Sequence, residues 1–246
     1  MPQFGRLAGS AIVAIDDPGA APEAPWTLAG AFYQLATFEV DAEATLDLLP
    51  AMLSRPAPPY ARILVADYPD SPVGPYREAT LLLSCRYLML PRQLVVASVV
   101  TSEAARVANA RNWRYTSEVG QVEISRSDER NVVARITTPS GLDATVSSPN
   151  AQETGVATIR YDPTVVVQPD NGAPKVLTVS AEPSGVHKAW LAQASTFACS
   201  VSDRTSPWWR LRSKNGITGT IATLDIERPT PTPVEPPTPG SGGGLP

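Results

Sequence analysis

The stretch Asp67-Tyr68-Pro69-Asp70-Ser71-Pro72-Val73-Gly74-Pro75-Tyr76-Arg77-Glu78-Ala79 carries three prolines and a glycine between positions 69 and 75. Prolines pre-set φ, and glycine supplies the positive φ that tight turns need, so the segment reads as a compact turn. The apolar run that follows, Tyr76 to Leu90, reads as one long strand. Glu78 thus stands two residues inside an apolar strand, where a carboxylate needs either a solvent-facing position or a buried partner.

Working outward, Phe32 to Val40 is rich in aromatic and β-branched residues and reads as a strand. Asp41 then sits as an N-cap before a short helix, Ala42 to Leu49, which Pro50 stops. Arg62 to Tyr68 and Gln93 to Val100 are further strands, and Thr101 or Ser102 caps a helix over Glu103 to Asn109. Beyond it a meander is expected: Gln121 to Ser125, Val132 to Thr138, Ala144 to Ser147, Thr154 to Tyr161, Val176 to Ala181, Thr196 to Val201 and Thr218 to Ile226. Residues 1–25 form an irregular lead-in, 26–227 the domain, and 228–246 a proline-, threonine- and glycine-rich tail with no apolar run to bury.

Twenty Lys+Arg against 24 Asp+Glu give a net charge of −4, which excludes a chain built for non-specific nucleic-acid binding. No apolar run approaches the roughly 20 residues of a membrane span. The short run Leu7 to Ile15 behind Arg6 ends at Asp16-Asp17 without a small-x-small cleavage site, so a cytoplasmic protein is expected. Cys85 and Cys199 have no zinc or haem spacing and read as free thiols. With one histidine, His187, and two separated cysteines, no metal is expected, and neither a Walker nor a dinucleotide glycine pattern is present, so no cofactor is expected. Trp208-Trp209-Arg210 reads as strand residues with one indole inward and one outward, the outer one an anchor for a lid or partner.

The Gly74-Pro75-Tyr76-Arg77-Glu78 turn, with Val40-Asp41, Leu48-Leu49-Pro50 and the helix end Ala110-Arg111, resembles the acetoacetate decarboxylase-like superfamily over about residues 26–125. The resemblance implies a mainly β (α+β) fold, a β-cone in which an antiparallel sheet closes around an internal cavity, with a few short helices. It also implies that Glu78 points into the cavity, and that copies of the chain associate as a homo-oligomer. The family's reaction uses a lysine of depressed pKa that attacks a keto acid to form an iminium. The resemblance places that lysine pair on Ser117 and Glu118, or on Glu118 and Val119, and neither register contains an amine. The first lysine of the chain is Lys175, and the family's arginine is missing from Ala29 to Val40. An arginine cannot substitute as nucleophile, because its guanidinium stays protonated.

The candidate site residues follow. Glu78 is the expected acid or base, against the plain reading of a surface carboxylate paired with Arg77 or Arg86. Glu118, where a lysine would stand, is either a second carboxylate that splits the pair into acid and base or a solvated loop residue. Arg111 and Arg114 flank Trp113 and are suited to hold a substrate carboxylate, though Arg111 also fits helix-end capping. Tyr76 and Tyr115 line the cavity or simply pack.

The expected function is acid/base cyclisation, dehydration or isomerisation of an enolisable keto or polyketide-like metabolite of secondary metabolism, with no Schiff base and no nucleic-acid or membrane partner. Two alternatives stand beside it: a non-catalytic small-molecule binder on the same fold, and a decarboxylase that borrows Lys175 or Lys188.

Overall fold

The computed structural model describes residues 1–12, 15, 18–155, 162–169 and 174–235. In chain order the strands are β1 (Trp26–Glu39), β2 (Tyr60–Tyr68), β3 (Tyr76–Tyr87), β4 (Leu90–Val100), β5 (Glu118–Val119), β6 (Gln121–Asp128), β7 (Asn131–Thr137) and β8 (Asp143–Ser148). They continue as β9 (Gln152–Glu153), β10 (Thr164–Gln168), β11 (Lys175–Thr178), β12 (Glu182–Ala192), β13 (Thr196–Ser200), β14 (Asn215–Arg228) and β15 (Thr232–Pro233). Three helices are interspersed: α1 (Ala42–Leu48), α2 (Glu103–Trp113) and α3 (Pro207–Arg210).

Eleven strands form one sheet in the order β15-β11-β10-β4-β3-β2-β1-β14-β12-β9, with β5 also on β4, and β13-β8-β7-β6 form a second sheet. Pairing is antiparallel except for β10 and β5, which both run parallel to β4. The mainly β fold with few helices is as the sequence implies, but the expected closure of the sheet is not made by hydrogen bonds. Among the described residues its terminal strands, β15 and β9, are two-residue segments that do not pair with each other.

Alternation along β3 sets the two faces. Ala79, Leu81, Leu83 and Cys85 pack with Phe38, Ile63 and Val65 and with the second sheet through Val122, Ile136, Val146 and Phe197. The opposite face carries Tyr33, Ala66, Tyr68, Tyr76, Leu224 and Ile226 against α2 through Ala105, Ala108 and Trp113. Glu78, Thr80, Leu82 and Ser84 fall in this second phase of β3, and all four are buried. Asp41 caps α1 as expected, accepting from the backbone N–H of Glu43 and Ala44.

Several boundaries differ from the sequence reading. Leu88 and Met89, both at positive φ, turn the chain between β3 and β4, so the single strand to Leu90 is a hairpin that no Asn-Gly pair announces. Helix α2 continues to Trp113 and is closed by Arg114 in the left-handed region. β12, absent from the expected strands, runs through Pro183-Ser184-Gly185 and pairs with β14 through two register irregularities. Trp208 and Trp209 lie on α3, not on a strand, because Pro207 opens a helical turn there. Of the expected strand Thr154 to Tyr161, residues 156–161 lie outside the described residues, and 154 and 155 carry no strand. The expected tail begins inside the sheet: Arg228 ends β14, β15 pairs with β11, and residues 236–246 lie outside the described residues.

Candidate active site

Glu78 is 3% exposed, and its environment is built by four elements. Thr80 Oγ1 (3.2 Å) on β3, Ser98 Oγ (3.0 Å) on β4, Asn109 Nδ2 (2.9 Å) on α2 and Tyr115 OH (2.9 Å) just beyond it all donate to Glu78 Oε1. The other oxygen, Oε2, lies 3.6 Å from Arg228 Nη1, and both side chains are 4% exposed. A buried carboxylate with one oxygen saturated by neutral donors and the other facing a guanidinium is compensated in charge and in hydrogen bonds.

Arg228 is held by its two terminal nitrogens, while its buried Nε has no hydrogen-bond partner among the described residues. Nη2 donates to Tyr115 OH at 2.7 Å, and Nη1 donates to Tyr76 OH at 3.2 Å and to Asn109 Oδ1 at 3.4 Å. Its guanidinium carbon stands 3.6 Å from the ring centre of Trp113, whose Nε1 donates to Pro229 O and whose ring meets Trp26 edge-on at 4.8 Å. Burial opposes the charge on Arg228, but the surrounding phenols Tyr115 and Tyr76 and the Glu78 carboxylate outweigh it, so the group is held well above its ordinary value. Burial pushes the phenols of Tyr76 and Tyr115 well above theirs, with Arg228 pulling partly the other way, and both are neutral O–H groups at any ordinary pH.

A hydrogen-bond ring closes beside the carboxylate. Asn109 Nδ2 donates to Ser117 Oγ (3.1 Å), Ser117 donates to Ser98 Oγ (3.1 Å), and Ser98 donates to Glu78 Oε1. The direction follows from charge: Arg228 claims Asn109 Oδ1, so the amide turns its two hydrogens to Glu78 and Ser117, and both hydroxyl protons then point toward Glu78.

The segment after α2 alternates: Trp113, Tyr115 and Ser117 are buried, while Arg114 and Thr116 are exposed. This places Tyr115 and Ser117 in the network and sends Glu118 away from it. The Glu118 carboxylate accepts from Ser140 N (3.1 Å) and Ser140 Oγ (2.9 Å), so Glu78 and Glu118 do not share a site. Arg111 donates to Gly19 O in the lead-in and stays outside the network, and Arg114 is an exposed residue at the helix end. Tyr76, Tyr115 and Trp113 join Glu78 as the sequence brought them together.

The residues the sequence reading missed are Arg228, Asn109, Ser98, Ser117 and Thr80. Arg228 had a signal. Ala222, Leu224 and Ile226 alternate into the same buried face, and the next step in that phase is Arg228. The three lysines are exposed: Lys188 pairs with Glu129 at 2.9 Å, Lys214 pairs with Asp41 at 2.8 Å, and Lys175 lies on β11. Neither Lys175 nor Lys188 is placed at Glu78, so the borrowed-lysine alternative has no geometry behind it.

Two cavities approach this network. One of about 310 Å³ is lined by Leu48, Val95, Val96, Ala97, Arg114 and Tyr115, beside the part of β4 between its pairings with β10 and β5. Tyr115 is both its wall and a donor to Glu78. The other, about 260 Å³, is lined by Tyr33, Leu35, Leu64 and Leu82 with Arg62, Gln93 and Asp162 among its polar residues, and it shares the Glu78 face of β3.

The sequence matches the family model described as acetoacetate decarboxylase (ADC) over residues 15–195. The chain belongs to the acetoacetate decarboxylase family. Its fold is similar to that of the acetoacetate decarboxylase from Legionella pneumophila, with a TM-score of 0.73 at 14% identity over 88% of this chain and 90% of that one. It is also similar to the enduracididine biosynthesis enzyme MppR complexed with pyruvate (TM-score 0.69, 13% identity, 88% and 93% covered). A third similar structure is an acetoacetate decarboxylase-like enzyme from Sphingomonas wittichii RW1 (TM-score 0.63, 14% identity, 87% and 94% covered). No curated protein matches the sequence.

Within this acetoacetate decarboxylase fold the cation beside Glu78 comes from β14. In the β1–β14 ladder Arg228 stands opposite Trp26, next to the strand where the family resemblance expects an arginine. Among the described residues no group of three or more His, Cys, Asp or Glu is placed to hold a metal ion, and no helix is long and apolar enough to cross a membrane.

Proposed function

We propose that this chain is a small-molecule enzyme on the acetoacetate decarboxylase fold that moves protons on an enolisable keto compound with Glu78, without forming a Schiff base. The reading rests on one observation above all: a buried carboxylate whose Oε1 is fixed by four donors while Oε2 faces Arg228, in a network that contains no amine nucleophile. The fixed oxygen orients the group, and Oε2 is the oxygen available to a substrate.

In the proposed step Oε2 takes a proton from the carbon next to the carbonyl. The C–H pair becomes a C=C bond, and the carbonyl π pair moves to oxygen as an enolate beside the Arg228 guanidinium. Where a hydroxyl leaves, the proton taken up by Oε2 passes to it, so that water departs and the Glu78 carboxylate is restored, while Tyr115 stays an O–H donor to Oε1. This sequence serves dehydration, isomerisation or cyclisation of a polyketide-like metabolite. That MppR is found with pyruvate and with a condensation product of pyruvate supports a small carbonyl ligand.

The test is exchange of α-protons in D2O, followed by NMR on pyruvate, acetoacetate and a cyclic β-diketone. Exchange by the wild type that drops about 100-fold in Glu78→Gln, with no borohydride-trapped adduct, supports the reading. Exchange unaffected by that substitution, or a trapped lysine adduct, refutes it. The burial of Glu78, which lines neither of the two cavities, also favours a second reading, a binding protein for the same ligands, in which a ligand is retained and no proton exchanges.

A further inference from the structure

The segment Arg204-Thr205-Ser206-Pro207-Trp208-Trp209-Arg210-Leu211-Arg212-Ser213-Lys214 holds four cations in eleven residues of a chain whose net charge is −4. Trp208 is buried with Phe197 and Leu211, which fixes α3 against the sheet and turns Trp209 outward. Around the Trp209 ring stand two guanidiniums, with the Arg204 carbon 5.0 Å and the Arg212 carbon 4.8 Å from its centre. A cavity of about 320 Å³ lies among Arg204, Trp209, Arg210, Arg212, Lys214 and Asp41.

The charges do not balance locally. Asp47 takes Arg210 and Asp41 takes Lys214, while Asp203 accepts from Thr205 N and Oγ1. Among the described residues Arg204 and Arg212 have no carboxylate partner, so two like charges are held on one indole with only its π face to offset them. Guanidiniums ordered in advance on an aromatic ring bind an anion with less loss of side-chain freedom, and their forked donors match an anion that offers several oxygens in different directions.

We propose that this pocket binds a phosphorylated small molecule, with its phosphate oxygens between Arg204 and Arg212. A cavity of about 320 Å³ exceeds what an inorganic ion fills and suits the ester of a di- or monophosphate. The site is separate from the Glu78 network: it lies where β14 begins, whereas Arg228 ends that strand, roughly 40 Å further along an extended 14-residue segment. It is therefore an anchoring or effector site.

The test is calorimetric titration of the full chain with inorganic pyrophosphate and with ADP at about 0.1 M salt. Binding with a Kd below roughly 1 mM is expected, weakening at least tenfold in Arg204→Gln/Arg212→Gln and in Trp209→Ala, and partly kept in Trp209→Phe. These residues are exposed or half-buried and outside the Glu78 network, so a variant that still shows wild-type unfolding reports on binding alone. Equal affinity for the two probes assigns the pocket to the phosphates, and tighter binding of ADP assigns it to the whole ester. No heat with either probe, or binding that the double variant leaves unchanged, overturns the proposal.

Discussion

Replacing Arg228 with methionine keeps most of the side-chain stem and removes the charge beside Glu78. At 3.6 Å the direct attraction amounts to about 5 kcal/mol for an effective permittivity near 20. The charge-assisted bond to Tyr115 at 2.7 Å is lost as well, while relief of the desolvation of the guanidinium offsets part of both. The net cost of leaving a buried carboxylate unpaired is about 3–5 kcal/mol, which for a chain of this length lowers Tm by roughly 10 °C. Guanidinium chloride unfolding measures it directly. The variant Glu78→Gln/Arg228→Met removes both charges and leaves Gln Oε1 to accept from Thr80, Ser98, Asn109 and Tyr115. Its cost should fall short of the sum of the single costs by about 1.5–3 kcal/mol. A single-variant cost below about 1 kcal/mol, the level of a surface arginine, or strict additivity in the cycle, would refute a coupled buried pair.

Other outcomes follow from the same contacts. Asp41 is held at about 2, below its ordinary 3.8, chiefly by Lys214 and then by the helix N–H groups it caps. Its contribution is therefore full above about pH 4 and lost as pH falls toward 2. Because the pair is half exposed, Asp41→Asn should cost only about 1 kcal/mol near neutrality, and a difference from wild type that persists unchanged at pH 2 would contradict this. Burial pushes the Cys85 thiol up to about 12, whereas Cys199 is half-buried and less shifted. A thiol reagent at pH 8 should thus label Cys199 first in the native protein, and equal rates would show that β3 opens readily. Ser117→Ala breaks the ring at Asn109 and Ser98 and should cost about 1 kcal/mol, with a near-zero effect in denaturation meaning that the ring carries no energy.

Much of the scaffold was legible because it depends on local chemistry. The prolines between 69 and 75 force the turn, the apolar run after it makes β3, and Asp41 caps α1 where an aspartate before alternating alanines should. The central carboxylate was legible for the same reason, since β3 offers only two faces and Glu78 shares its phase with Thr80 and Leu82. Partners from distant strands were not. Arg228 meets Glu78 across 150 positions of sequence, and its proline-rich sequel made it look like the start of a tail. Glu118 shows the opposite error. Its place in the family resemblance suggested a carboxylate in the site, but alternation from Trp113 buries Ser117 and turns Glu118 to Ser140. Leu88 and Met89 form a turn without turn residues, so only the pairing of β3 with β4 reveals it.

The origin of the cation on β14 has a simple geometric basis. Residues opposite each other on paired antiparallel strands have Cβ atoms about 5 Å apart, well within the reach of an arginine side chain. Trp26 of β1 lies opposite Arg228, so the guanidinium above Trp113 enters from the strand paired with the one where the resemblance expects an arginine. With the cation supplied from β14, the carboxylate is neutralised without any amine, and position 117 is free to hold a hydroxyl that donates toward Glu78. An arginine that balances charge but cannot attack a carbonyl, two phenols kept protonated by burial, and serine hydroxyls directed toward one carboxylate make up the arrangement on which the proposed proton transfer rests. On the proposed reading this arrangement differs from iminium chemistry, because the groups within 3.6 Å of Glu78 are an arginine, three hydroxyls and an amide, with no lysine among them.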